Sequence, residues 1–89
     1  MSQTKIEIIN KLGLHARAAA KFVTLASQYK SDVFLEFDGK QVNGKSIMGV
    51  MMLAASKGTE LLLIIKGVDE QEATEALTAL VHARFDEAE

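Results

Sequence analysis

The run Leu61-Leu62-Leu63-Ile64-Ile65 constrains this chain more than any other stretch. It lies within Thr59 to Lys66, and Gly67 breaks it. Such an unbroken apolar run predicts a central strand, with a neighbour on each side. A chain of 89 residues makes one domain, residues 1–89, with a modest core. Every other element must therefore be placed around that strand.

The remaining elements follow from spacing and turn residues. Lys5 to Ile9 alternates charge with isoleucine and predicts a strand. Asn10 to Leu14 reads as a loop, and a helix follows from about His15 to Tyr29. Its positions Ala19, Phe22, Val23, Ala26 and Tyr29 should face the core. Asp32 to Phe37 is a strand with Val33, Leu35 and Phe37 on one face. Asp38-Gly39 is a hairpin signal, so Lys40 to Asn43 returns as a short, polar edge strand. Ile47 to Ala55 is a short helix, with Gly58 as its stop. Asp69 and Glu72 resemble a capping box, opening a last helix whose stripe is Ala73, Ala76, Leu77, Leu80 and Val81. Phe85 is expected to extend that helix before the acidic end Asp86-Glu87-Ala88-Glu89. The order is βαββαβα, an α+β arrangement with three helices on one face of a four-stranded sheet and the other face wet.

Composition excludes several classes of function. Net charge is −2 and pI about 5.7, without the basic stripe of a nucleic-acid binder. With no cysteine there is no disulfide framework and no thiolate metal site. His82 lies far in sequence from His15, so no metal centre is expected, and capping the end of the last helix is its expected role. The first residues lack the apolar run of a signal peptide, and no segment is long enough to insert in a membrane. The expectation is a cytoplasmic monomer without a cofactor.

Two stretches point to chemistry. In GLHARAAAKFV, Gly13 permits a sharp turn and alanines propagate a helix, which puts His15 near its N-cap and Arg17 in its first turn. Free amides and the macrodipole at that end form an anion site. The same field disfavours imidazolium, so the ring should be a neutral nucleophile able to take a phosphoryl group. Arg17 can hold phosphate oxygens with its planar fork. No acidic residue lies between Asn10 and Gln28 to oppose this, and no second general acid or base is apparent beside His15. The same residues also suit a histidine that merely caps a helix.

The second stretch, Ile47 to Ala55, has no polar face. Met48, Met51 and Met52 share one side, and Ile47, Val50 and Ala54 another. One side can enter the core, and the surplus predicts an exposed apolar patch of the kind that docks partners. The alternative is that all of it is core. Ser46 stands at the N-cap position, and a phosphate there would border the patch. Lys45 either flanks this site or is solvated.

At GLHARAAAKFV and NGKSIMGVMML the chain resembles the histidine-containing phosphocarrier family, HPr, of the bacterial phosphoenolpyruvate-dependent phosphotransferase system. The resemblance covers essentially the whole chain. It implies an open-faced β-sandwich with an antiparallel four-stranded sheet. It implies that His15 accepts a phosphoryl group on Nδ1 from Enzyme I and passes it to a IIA-type protein, with Arg17 stabilising the phosphorylated ring. Docking residues would be Ala16, Ala20, Ile47, Met48, Gly49 and Met51, and Ser46 would be the target of an HPr kinase/phosphorylase. Such a protein is a stoichiometric carrier, not an enzyme. Many members have proline where this chain has Ala18, a position that alanine fills without breaking the helix. The residues around Ser46 lean toward the sugar-uptake carrier and away from the nitrogen-related one. Two further readings remain: a non-covalent binding module that docks through Met48 and Met51, and a free-standing enzyme with a histidine nucleophile.

Overall fold

The computed structural model describes all 89 residues, Met1–Glu89. The elements are β1 (Ser2–Glu7), α1 (Ala16–Ala26), β2 (Asp32–Phe37), β3 (Lys40–Asn43), α2 (Ile47–Met52), β4 (Glu60–Lys66) and α3 (Glu70–His82), followed by a short turn of 3-10 type, Arg84–Asp86. The sheet order is β1-β4-β2-β3, and every pair is antiparallel. The expected βαββαβα open-faced β-sandwich is the fold found, with β4 central and β3 at an edge.

The register explains how an unbroken apolar strand survives in a sheet with one wet face. Leu61, Leu63 and Ile65 point into the core with Ile6, Ile8, Val33 and Leu35. Leu62 and Ile64 point the other way. They are flanked by Lys5 and Gln3 on β1 and by Glu36 and Phe34 on β2. Long side chains there cover apolar neighbours with their stems, and Ile64 is only 8% exposed. The helices close the inner face with Ala18, Ala19, Phe22, Val23 and Ala26 from α1 and with Ala73, Leu77 and Val81 from α3. Asp38 and Gly39 both take positive φ, the geometry of a two-residue hairpin turn matched to strand twist.

Several boundaries differ from expectation, each for a tertiary reason. β1 starts at Ser2 and its ladder ends at Glu7, while Ile8 bonds instead to Thr59 and Gly58. α1 stops at Ala26 because Gln28 and Tyr29 donate to carbonyls three residues back, tightening the last turn. α2 ends at Met52, not Ala55. Ala54 takes the left-handed conformation (φ 52°) that lets Leu53 and Ala55 turn inward, where the Ala55 carbonyl accepts from Leu14 N–H at 2.8 Å. Gly58 is therefore not the helix stop. The capping box at Asp69 and Glu72 does not form. The Asp69 carboxylate instead accepts from the Lys30 and Ser31 amides and from the Ser31 hydroxyl, and Glu70 reaches back to the Gly67 N–H. Of the three residues Val33, Leu35 and Phe37 expected on one face, Val33 and Leu35 are buried and Phe37, at the strand end, is 40% exposed. Phe85 is buried, yet it does not continue α3: Arg84, Phe85 and Asp86 all adopt left-handed φ values of 54–64°.

Candidate functional site

The site begins with a tight approach of two loops. Gly13 has φ +69°, and a Cβ there would collide with the Ala55 carbonyl. Glycine lets the chain turn against residues 55–56 and enter α1 with His15 extended at the N-cap (φ −76°, ψ 178°). His15 Nδ1 accepts from Arg17 N–H at 3.3 Å. The first intrahelical bond to this region is Ala19 N–H to the His15 carbonyl, so the amides of Ala16 and Ala18 have no helical partner. No acidic residue occupies the first turn of α1. The ring is partly exposed, at 27%, and Arg17 is exposed beside it. Arg17 lines an open cleft together with Lys11, Lys21, Asp86 and Glu87.

The other ring nitrogen has a partner that local sequence did not indicate. Glu87 Oε2 lies 2.5 Å from His15 Nε2. The second carboxylate oxygen accepts from Asn10 Nδ2 at 2.9 Å, and the same amide donates to the Gly13 carbonyl at 2.8 Å. The Asn10 bond, the His15 bond and the nearby positive charges hold the Glu87 carboxyl below its ordinary value, against the opposing effect of burial. The expectation of no second acid or base beside His15 is thus corrected. Only tertiary structure exposes this contact, because 72 residues separate the partners. Lys21 Nζ donates to the Phe85 carbonyl at 2.7 Å and ties the tail to α1.

The second stretch is adjacent, since α2 packs beside α1. Ser46 caps α2 by accepting from Gly49 N–H at 3.1 Å. Only Val50 of α2 is buried, while Ile47 (43%), Met48 (71%), Met51 (38%) and Met52 (62%) are exposed. The surplus apolar patch is present, and the all-core alternative is not. A Cβ at Gly49 would sit 3.3 Å from the Asn43 carbonyl, so glycine lets the cap close. Lys45 Nζ donates to the Tyr29 carbonyl, bracing the loop before α2. His82 is exposed at the last position of α3, whose terminal carbonyls are taken by the Ala83 N–H. His82 thus stands in the last turn of α3, at the negative end where it was expected. No group of three or more His, Cys, Asp or Glu side chains is placed to hold a metal ion, and no helix is long and apolar enough to cross a membrane.

A family model described as the PTS HPr component phosphorylation site matches residues 2–83. The chain belongs to the HPr family. It is 57% identical to the phosphocarrier protein HPr of Neisseria meningitidis over all 89 residues of both chains. It is 60% identical to the HPr-like protein Crh of Bacillus subtilis over 81 residues, 91% of this chain and 95% of the other. Among solved structures, HPr from Thermoanaerobacter tengcongensis superposes with a TM-score of 0.96 at 48% identity, covering both chains fully. HPr is a phosphocarrier of the phosphotransferase system, and the Crh relatives connect the family to regulation. A second T. tengcongensis structure is of an HPr dimer, with a TM-score of 0.79, 49% identity and coverage of 98% of this chain and 100% of that one. A monomeric state therefore does not follow from family membership.

Proposed function

We propose that this HPr-family chain carries a phosphoryl group on His15 Nδ1, taking it from Enzyme I and passing it to a IIA-type protein. The observation that supports this reading is the partly exposed imidazole at the N-cap of α1, with Nδ1 toward the first-turn amides. In the transfer, the Nδ1 lone pair forms an N–P bond as the donor's bond to phosphorus breaks. The bonding pair returns to the donor, and the proton on Nε2 stays in place. Phosphoryl oxygens on Nδ1 then face partial positive charge from free amides and full charge from Arg17. The Arg17 amide, 3.3 Å from Nδ1 at rest, is a long bond that is easily given up.

Partners dock, in this reading, on Ala16 and Ala20 of α1 and on Ile47, Met48, Gly49 and Met51 of α2. The exposed methionines suit successive partners of different shape. Ser46 is the regulatory site, modified by an HPr kinase/phosphorylase. Its support is position beside the patch and the 60% identity to Crh, which is described as the catabolite repression HPr of B. subtilis. The chain acts as a stoichiometric carrier for sugar uptake in the cytoplasm.

Incubation with phosphoenolpyruvate and Enzyme I should add one phosphoryl group by mass. The adduct should be lost in acid and survive in base, because protonating the imidazole improves it as a leaving group. His15→Ala should abolish the addition, and an unchanged mass gain in that variant would refute the assignment.

A further inference from the structure

The reading of His15 as phosphoryl acceptor leaves its second ring nitrogen unexplained. That nitrogen is held at 2.5 Å by Glu87 Oε2. The carboxylate is itself fixed by Asn10, a fully buried side chain whose amide spans Glu87 and the Gly13 carbonyl. Behind it, Phe85 is wholly buried and its carbonyl is bonded to Lys21. The contact is therefore braced from both sides.

Its chemistry follows from donor and acceptor roles. An ionised carboxylate can only accept, so Nε2 must carry hydrogen. The Arg17 N–H donates to Nδ1, so Nδ1 must carry the lone pair. Two independent partners specify one tautomer and one ring orientation. We propose that Glu87 is a positioning residue for His15: it fixes the proton on Nε2, aims the Nδ1 lone pair at the first-turn amides of α1, and offsets the positive charge the ring gains when Nδ1 is phosphorylated. This inference rests on the acceptor reading only for its last element, because tautomer and orientation are properties of the resting protein.

The balance is simple. Neutral imidazole with N–H at Nε2 attacks phosphorus, and no proton leaves. The product is a phosphorylated imidazolium whose remaining N–H points at a carboxylate. On transfer to the next protein the N–P pair returns to Nδ1 and neutral imidazole is restored. A carboxylate behind an imidazole is a recurrent way to hold the ring and stabilise its cationic form.

Protein labelled with nitrogen-15 at histidine tests this directly. The chain has two histidines, and exposed His82 serves as an internal control. In the wild-type protein the His15 Nε2-bound proton should resonate far downfield and exchange slowly with water. In Glu87→Gln, which keeps size but loses charge, that signal should move upfield and exchange faster, with His82 unchanged. The rate of transfer from phosphorylated Enzyme I should fall about tenfold or more, as for loss of an outer carboxylate elsewhere. An Nε2 signal identical in both proteins would overturn the proposed contact. A shifted signal with an unchanged transfer rate would overturn the role in transfer. If the wild-type protein took no phosphoryl group, the acceptor reading would fall, and the ring signal would still decide the contact.

Discussion

Asp69 illustrates how one carboxylate joins distant parts of this chain. It accepts from the Ser31 hydroxyl and from the Lys30 and Ser31 amides, tying the loop after α1 to the start of α3. The Ser31 hydroxyl, and then the Lys30 amide, hold its carboxyl below the ordinary 3.8. A depressed folded value means that the carboxylate stabilises the fold above the unfolded value, and that this contribution is lost as pH falls through the folded one. Asp69→Asn should therefore be less stable than wild type near neutrality, with the gap closing as pH drops below 3.8. Urea titrations at several pH values would measure it, and a gap that stays constant would show that ionisation is not its source. At this scale the sequence was informative where chemistry is local. His15, Arg17 and Ser46 lie at helix starts that glycine, alanine and serine announce. Glu87 and Asn10 could not be paired by pattern, because nothing within a short window links residues 77 apart.

The short helix α2 carries the next level of information. Its N-cap serine and its lack of a polar face were both legible, and both appear in the structure. Its end was not, because Leu14 N–H and the Ala55 carbonyl fix that end from outside. The Asp69–Glu72 capping motif failed for a similar reason: a better set of donors on another loop captured the carboxylate. Local signals name element types well and element ends poorly, since ends are where unpaired backbone groups seek outside partners. Cap and charge can be separated at Ser46. Ser46→Ala should lower stability by about 1 kcal/mol through loss of the Gly49 N–H bond, with little change in transfer rate. Ser46→Asp keeps a good capping acceptor but adds charge beside the exposed methionines, so it should preserve stability and slow transfer from Enzyme I several-fold. Equal rates for the two variants would count against an electrostatic effect at this position.

At the scale of the whole molecule, the central place of β4, the edge place of β3 and the one-sided helix layer were readable from an unbroken apolar strand and the hairpin at Asp38-Gly39, while the pairing of β1 and β2 on either side of β4 was not. The tail was not, because Arg84, Phe85 and Asp86 take a conformation that side-chain propensity disfavours. Left-handed backbone costs roughly 1–2 kcal/mol per non-glycine residue. Burial of Phe85 and its carbonyl bond to Lys21 must offset that cost. Phe85→Ala should destabilise the protein by about 3–5 kcal/mol if the ring is as integral to the core as its complete burial indicates. Denaturant midpoints would measure the loss, and a value under about 1 kcal/mol would show that the ring leaves the core readily.

That twisted turn has a consequence for how the protein fails. A segment held in an unfavourable conformation by one buried ring, one lysine and the Glu87 contacts to Asn10 and His15 opens at lower free energy than a four-stranded ladder. As temperature rises, the carboxylate would leave the imidazole while the sheet stays zipped. The molecule would then keep its shape but lose its aim, and its working range would close below its melting point.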